Sequence, residues 1–185
     1  MTQAVAVKTA RAAIPAGEWE IDPTWSALEF EVRKLGLVAI KGRVLGFTGT
    51  IVGGEEPSVT GTVDATTLTT FDETRDTHLG SPDFFDTQRY PELRFASTSV
   101  EQDGDEVVVQ GELTIKGVTR PVELRGSVTG PEQDPWGNER LGLRVGTVVD
   151  RTAFGLNWNA PLTGGGFLLP NDVGLTATFA AIRKS

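Results

Sequence analysis

The sequence contains no cysteine, which excludes disulfide bonds, thiol chemistry and zinc sites built from thiolates. It also contains a single histidine, and no stretch reaches the roughly 18 apolar residues of a membrane-spanning helix. Positive charge is scarce, because 17 basic residues stand against 25 acidic ones and the net charge is −8. This deficit argues against nucleic-acid binding and against simple attraction to anionic membranes.

The N-terminus lacks the sustained apolar run of a secretory signal peptide, and Lys8 and Arg11 follow the first apolar residues instead of preceding them. The absence of cysteine also fits a reducing compartment. We therefore expect a cytoplasmic protein. A length of 185 residues is that of one domain, and we expect residues 1–16 to form a flexible tail and residues 17–185 to form the domain.

Apolar residues recur at every second position along most of the chain, which indicates β-strands with one apolar face. Leu28, Phe30 and Val32, for example, alternate with charged residues. Residues 41–52 change phase midway, which predicts one strand with a β-bulge near Leu45-Gly46.

The alternation stops in residues 74–95, where charge, two adjacent phenylalanines and two prolines occur together. Ser81 is suited to a helix N-cap, Pro82 to the first helical position, and Asp83 to the positive end of the helix dipole. We therefore predict a short helical segment near residues 76–86 that lies over one end of the strand assembly.

Eight or nine strands at hairpin spacing, with no long amphipathic helix, predict an antiparallel up-and-down barrel or a sandwich. The last strand is as apolar as the central ones, which favours a closed barrel because closure gives that strand a neighbour on both sides. An eight-stranded interior is either packed shut or holds one small ligand. Small inward residues such as Gly42, Gly61 and Ala177 either leave room inside or only allow the strands to coil.

Several spaced motifs resemble the YceI-like family over about residues 17–184. They are WEIDP at residues 19–23, RDTHL at 75–79, SPDFFD at 81–86, GELTIKGVT at 111–119 and DRTAFG at 150–155. The resemblance implies an all-β fold in residues 17–185, a closed antiparallel eight-stranded lipocalin-like barrel with a long apolar interior. It also implies binding of a polyisoprenoid or similar long-chain amphiphile, such as an isoprenoid quinone or a polyprenyl phosphate, in lipid sequestration, storage or transport. Many members are periplasmic, and this chain resembles a cytoplasmic branch.

Two positions depart from the pattern of many family members, which carry histidine there. Trp25 stands before Ser26, and Lys34 stands four residues after Phe30. Any imidazole role at these positions is therefore lost. Lys34 shares the strand phase of Phe30 and Val32, so we expect it to point inward at the barrel end, where its cation would suit an anionic head group.

An apolar wall is sufficient to hold the ligand that the resemblance implies, because a hydrocarbon chain gains about 0.8 kcal/mol per buried CH₂ and needs few polar groups. We predict no catalytic residue, no metal and no catalytic cofactor, since the isoprenoid lipid is a ligand. The predicted ligand-binding residues are Leu28, Phe30, Val32, Lys34, Val44, Phe47, Val63, Phe84, Phe85, Phe95, Leu113, Ile115, Leu124, Leu143, Val145, Phe154, Leu175 and Phe179.

Two neighbouring pairs of opposite charge occur inside the family motifs. Arg75 precedes Asp76, and Asp150 precedes Arg151. We predict that both are structural ion pairs, and a head-group role for either arginine is the alternative.

His78 is the only histidine, and Asp76 and Asp83 lie close to it in sequence. We predict that it forms hydrogen bonds within the helical segment. Two alternatives to lipid binding stay open. In one, His78 is the base of an enzyme that acts on an isoprenoid or small ester. In the other, the chain is a structural or interaction module, for example a homodimer that associates through Trp136 or residues 167–169.

Overall fold

The computed structural model describes residues 14–185, which form eleven β-strands, one α-helix and three short 3-10 helices. Helix α1 spans Glu73–Leu79, and no helix in residues 14–185 is long and apolar enough to cross a bilayer. The strands are β1 (Gly17–Ile21), β2 (Ala27–Lys34), β3 (Val38–Val44), β4 (Phe47–Gly53), β5 (Ser58–Asp64), β6 (Leu68–Thr69), β7 (Glu92–Asp103), β8 (Glu106–Ile115), β9 (Val118–Gln133), β10 (Glu139–Asp150) and β11 (Asp172–Arg183).

The eleven strands form the eight walls of a closed antiparallel barrel, because three walls are each interrupted once. The first wall is β1 followed by β2, the second is β3 followed by β4, and the third is β5 followed by β6. β11 closes the barrel, since it pairs with β10 on one side and with β1 and β2 on the other. The predicted all-β fold and eight-stranded closure are confirmed.

The prediction of one bulged strand over residues 41–52 is wrong, because the chain leaves the ladder there and β3 and β4 are separate strands. The N–H of Leu45 donates to the carbonyl of Thr67 (3.3 Å), and the N–H of Gly46 donates to Oγ1 of Thr67 (2.8 Å). These bonds to the adjacent wall replace the ladder bonds of a continuous strand. The change of phase in the sequence therefore marks a corner of the barrel.

The helix lies earlier than predicted. It begins after Asp72, whose carboxylate accepts a hydrogen bond from the N–H of Arg75 (2.9 Å). Ser81 lies in a tight turn instead, where its carbonyl accepts hydrogen bonds from the N–H groups of Phe84 (3.0 Å) and Asp86 (2.9 Å). The prediction of a helix start at Ser81 is wrong because Asp72 caps the helix first, and only the beginning of the predicted range is helical.

One end of the barrel, here called the closed end, is filled by side chains around the fully buried Trp19. Inward residues from most walls form one buried, closely packed cluster with this indole. The buried residues of the cluster are Ile14, Trp19, Ile51, Val59, Val107, Val109, Val128, Leu141, Leu143, Val145 and Ala181.

The barrel domain begins before the predicted boundary at residue 17. Ile14 is buried in the closed end, its N–H donates to Oε1 of Gln102 (2.9 Å), and its carbonyl accepts a hydrogen bond from the N–H of Gly54 (3.1 Å). The last residues of the tail predicted over residues 1–16 are therefore attached to the barrel. Burial of the Ile14 side chain is favourable because it removes apolar surface from water. Residues 1–13 lie outside the described part of the chain.

We predict that Trp19→Ala lowers the free energy of unfolding by about 3–5 kcal/mol, because it removes a large buried side chain and leaves a void. Trp136→Ala is the matched control: Trp136 is 74% exposed, and surface substitutions usually change stability by about 0.5 kcal/mol or less. Urea denaturation followed by circular dichroism measures both variants. Equal losses in the two variants would contradict the role of Trp19 in the closed end.

Candidate ligand cavity

A cavity of about 820 Å³ occupies the barrel interior beyond the closed end. The strands line it because alternation places every second side chain inside. Val173, Leu175, Ala177 and Phe179 line it from β11, for example, and the other walls contribute further leucine, valine and isoleucine side chains. The wall of the cavity is therefore mainly aliphatic and aromatic.

The predicted ligand-binding residues lie around this cavity with one exception. All of them except Phe47 line it, including Lys34 at the end of β2 and Phe84 and Phe85 from the turn after α1. Phe47 is buried, and its ring packs against that of Phe179 with 5.9 Å between the centroids. It supports the wall instead of forming its surface.

Two phenylalanine rings occupy space that inward glycines leave on neighbouring strands. A Cβ atom at Gly42 would lie 2.0 Å from Cζ of Phe30, and one at Gly111 would lie 2.4 Å from Cζ of Phe95. A larger residue at Gly42 or Gly111 would therefore displace the ring of Phe30 or Phe95 from its present position. Of the two interpretations of the small inward residues, the structure therefore favours the one in which they make room inside.

Alternation in the sequence did not predict the residues at the other end of the cavity. They come from helix α1, the turn before it and the long connection after β10, which have no strand period. The break in alternation at residues 74–95 indicated a segment over one end of the strands, and the resemblance motifs at residues 75–79 and 150–155 gave a further signal. The additional lining residues from these segments are Thr70, Asp72, Thr74, Arg75, His78, Leu79, Arg151, Leu156, Trp158, Leu168 and Leu169.

The barrel wall is incomplete along one side of β3. β3 pairs with β2 over its whole length, but with β6 only at Arg43 and Val44. Residues 38–42 therefore have no described strand partner on that side, and the chain after β6 continues into α1. Ile40 lines the cavity on one side of this gap and Thr70 on the other. We interpret the gap between β3 and α1 as the mouth of the cavity.

Polar side chains line the cavity near this mouth. Lys34 is half-buried, and among residues 14–185 it has no carboxylate in ion-pair contact. Arg75 donates from Nε to Oγ1 of Thr70 (2.6 Å) and from Nη2 to the Thr70 carbonyl (3.0 Å). The predicted direct ion pair of Arg75 with Asp76 is replaced by these bonds, because Thr70 lies between the two side chains and hydrogen-bonds to both.

Asp76 stabilises the turn before the helix. Its carboxylate accepts hydrogen bonds from Oγ1 of Thr69 (2.8 Å) and from the N–H (2.7 Å) and Oγ1 (2.5 Å) of Thr70. Burial raises the pKa of Asp76, but these hydrogen bonds and the charge of Arg75 outweigh it, so the pKa lies below its usual value. Asp76 therefore stays ionised and is a poor proton acceptor.

His78 forms the predicted hydrogen bond within this segment, since its Nε2 lies 2.8 Å from Oδ2 of Asp83. Its ring packs edge-on against Phe84 and Trp158, with 5.0 Å and 4.7 Å between the centroids. The hydroxyl of Ser81 donates to the backbone carbonyl of His78 (2.6 Å) and not to the ring. The histidine thus belongs to an aromatic cluster at the cavity wall, without a hydroxyl nucleophile on its ring.

The predicted Asp150–Arg151 ion pair is also replaced by other contacts. Asp150 accepts a hydrogen bond from the N–H of Thr152 (2.8 Å) and so caps the 3-10 helix that follows β10. Arg151 is only 6% exposed, and burial lowers the pKa of its guanidinium although Asp150 acts in the opposite direction. The guanidinium donates to three carbonyls of the connection after β10, those of Leu156 (2.6 Å), Trp158 (2.9 Å) and Pro170 (2.9 Å).

The side chains of residues 14–185 bring no three histidine, cysteine, aspartate or glutamate residues together in a way that could hold a metal ion. The polar groups that line the cavity at this end include Lys34, Thr70, Asp72, Arg75 and His78. Their chemistry suits hydrogen bonding and charge neutralisation at the end of an otherwise apolar cavity.

The family described as YceI-like domain matches residues 19–181 of this chain. Protein YceI of Escherichia coli O157:H7 is 37% identical to it over 136 residues, which are 70% of this chain and 71% of that protein. A match of this extent includes most strands of the barrel and helix α1.

Two solved structures share the fold. Burkholderia cenocepacia BcnA superposes with a TM-score of 0.73 at 18% identity, covering 86% of this chain and 98% of that one. A polyisoprenoid binding domain from Saccharophagus degradans, implicated in plant cell wall breakdown, gives a TM-score of 0.71 at 15% identity, covering 90% and 98%. Since the family match spans nearly the whole barrel, the chain belongs to the YceI-like domain family.

Proposed function

We propose that the protein binds one polyisoprenoid or similar long-chain amphiphile inside the barrel and acts in lipid sequestration, storage or transport. The observation that carries this proposal is the apolar cavity of about 820 Å³. Small-molecule sites typically have volumes of about 300–1,000 Å³. Water inside such a space finds few hydrogen-bond partners on its aliphatic and aromatic wall, so an apolar chain that fills it gains contacts that water does not provide.

The energetics favour a hydrocarbon chain. Each buried CH₂ contributes about 0.8 kcal/mol, so one five-carbon isoprenoid unit contributes roughly 4 kcal/mol before the cost of immobilising it. Leu143 and Val145 on one wall and Leu175 and Phe179 on the next provide such a surface without polar groups. The Saccharophagus degradans neighbour, described as a polyisoprenoid binding domain, supports the same ligand class.

The head group lies at the mouth in this proposal, because the closed end is filled by apolar side chains. Lys34 is free to contact it, and Arg75 adds a second positive charge at the cavity surface. Both an isoprenoid quinone and a polyprenyl phosphate fit the apolar interior. The two cations favour the phosphate, since an anion gains charge-assisted hydrogen bonds that a quinone carbonyl does not.

We propose binding and not catalysis. A covalent hydrolytic mechanism based on His78 needs a nucleophile hydrogen-bonded to the imidazole. Nε2 of His78 is paired with Asp83 instead, and the hydroxyl of Ser81 donates to the backbone. Asp76 is held ionised by its hydrogen bonds. The His78–Asp83 pair at the cavity wall nevertheless makes an enzyme the second candidate, which a substitution distinguishes.

We expect purified protein to carry one isoprenoid lipid per chain in native mass spectrometry, and solvent extraction should recover that lipid. Ala177→Trp should weaken its affinity about tenfold or more, because the indole displaces at least about two methylene groups, roughly 1.6 kcal/mol. Thr178→Trp is the matched control, since Thr178 is exposed on the outer face of the same strand. Equal affinity of the two variants, or protein without any lipid, would contradict binding in the barrel.

We predict that Lys34→Gln weakens the affinity for a polyprenyl phosphate about fivefold, the equivalent of roughly 1 kcal/mol for a half-exposed charge pair. The affinity for the uncharged polyprenol of the same length should not change, and Lys34→Arg should retain phosphate binding. Isothermal titration in mild detergent measures all three. An equal loss for both lipids would assign Lys34 to packing instead of head-group recognition.

We expect His78→Ala to leave lipid occupancy within about threefold of the wild type, because its ring is one contact among many. Neither the wild type nor His78→Ala should turn over a polyprenyl phosphate or a short-chain ester. Incubation of both proteins with these lipids, followed by mass analysis of the products, tests this. Product formation by wild type that His78→Ala abolishes would establish the enzyme instead.

A further inference from the structure

The mouth of the cavity is bordered by exposed apolar side chains. Leu35 follows the cavity-lining residue Lys34, and Phe71 lies between the cavity-lining residues Thr70 and Asp72. Other exposed apolar residues occur close to cavity-lining residues in the sequence. We call this set the apolar rim. It consists of Leu35, Leu37, Val38, Phe71, Leu162 and Phe167.

The rim comes from three segments that meet at the mouth. The turn between β2 and β3 is joined to the connection after β10, because the N–H of Leu35 donates to the carbonyl of Leu168 (3.0 Å). Within that connection Pro161 forms an isolated β-bridge with Phe167. Phe71 comes from the opposite side of the mouth, immediately before helix α1. The rim thus flanks the gap between β3 and α1.

The backbone holds two rim side chains outward at a conformational cost. Leu35 and Phe71 adopt positive φ angles of 55° and 63°, which residues other than glycine, asparagine and aspartate rarely adopt. Phe71 is 74% exposed and Leu37 is 76% exposed. Large apolar side chains fixed in water beside an apolar cavity indicate a surface that is covered in function.

We propose that the apolar rim docks on the surface of a lipid bilayer, so that the ligand passes between membrane and cavity through the mouth. This inference rests on the proposed function, because a long isoprenoid chain must come from a lipid phase. Whatever covers the rim also covers the mouth. A bilayer can do this and can supply the isoprenoid ligand at the same place. The rim then enters the interface as the apolar face of a peripheral protein does.

Charge limits the kind of bilayer. The chain has a net charge of −8, and near the rim Lys41 is paired with Glu31 (3.8 Å). The other cations beside the rim, Lys34 and Arg75, are fewer than the roughly four to eight that draw a protein to an anionic membrane. Attraction to anionic head groups needs several uncompensated lysines or arginines. Docking therefore depends on apolar insertion into a zwitterionic surface, and anionic lipid weakens it.

The test measures co-sedimentation of the full chain with phosphatidylcholine vesicles. We expect Phe71→Ser to lower the partition coefficient, and Leu37→Ser/Phe71→Ser to lower it about tenfold or more, since two large apolar groups leave the interface. Trp136→Ser is the matched control, because Trp136 is as exposed as Phe71 but lies on the hairpin between β9 and β10 at the closed end. It should partition like wild type, and thermal melts confirm that all variants are folded.

Lipid occupancy, measured in detergent by native mass spectrometry, separates this inference from the proposed function. Loaded protein that does not bind phosphatidylcholine vesicles overturns the docking surface and leaves the carrier intact. Vesicle binding that rises when phosphatidylserine is added also overturns it. A dimer in light scattering that the double variant dissociates, without vesicle binding, shows that a second copy covers the rim instead. Vesicle binding without any lipid occupancy overturns the proposed function and the passage of a ligand through the mouth, and it leaves only the docking of the rim on the bilayer.

Discussion

The hydrogen-bonded closure of β11 onto β1 and β2 is the constraint on which the rest of the molecule depends. Closure fixes the circumference at eight walls, and inward side chains then occur at every second residue of each wall. At the closed end Trp19, Ile51 and Leu141 are large enough to meet in the middle. Further along, the rings of Phe30 and Phe95 lie against inward glycines of neighbouring strands, and the same circumference leaves a hollow.

The third interrupted wall gives the hollow its mouth, and all three interruptions are local features of the chain. Two of them are 3-10 helices with the same local cap, in which an aspartate accepts a hydrogen bond from the N–H two residues on: Asp22 from Thr24 (3.0 Å) and Asp64 from Thr66 (2.9 Å). The third is the corner at Leu45 and Gly46. Beyond these breaks β6 is only two residues long, so it covers little of β3. The opening therefore results from the shortness of β6 after the break in the third wall.

Much of this fold was predictable, because period-two alternation with one apolar face constrains a strand strongly. Leu28 to Val32 in β2 and Val173 to Phe179 in β11 showed their inner face directly in the sequence. The corner at Leu45 was detected as a change of phase but assigned to a bulge, since alternation alone does not distinguish a bulge from a break. The family resemblance, and not the pattern, indicated that the barrel would be hollow.

The mouth was the least predictable part. The sequence showed a capping signal at Ser81, but the helix begins after Asp72, because a local signal does not show whether the chain around it forms a helix or a turn. Arg151 was expected to pair with its neighbour Asp150, yet it donates to carbonyls as distant in sequence as Pro170. Such contacts depend on how a loop of irregular conformation folds back, which no short-range periodicity encodes.

The depth of the hollow and the position of its mouth together limit how a lipid carrier of this shape works. Each methylene group of a bound lipid contributes about 0.8 kcal/mol. A long lipid therefore dissociates slowly into water, because high affinity is usually expressed as a low dissociation rate. Release into another apolar phase avoids that cost, since the chain leaves one apolar surface for another. The lateral gap between β3 and α1 gives such a transfer a route out of the cavity that does not cross the closed end. The open side of the barrel therefore matters to turnover of the ligand as much as the apolar wall matters to its affinity.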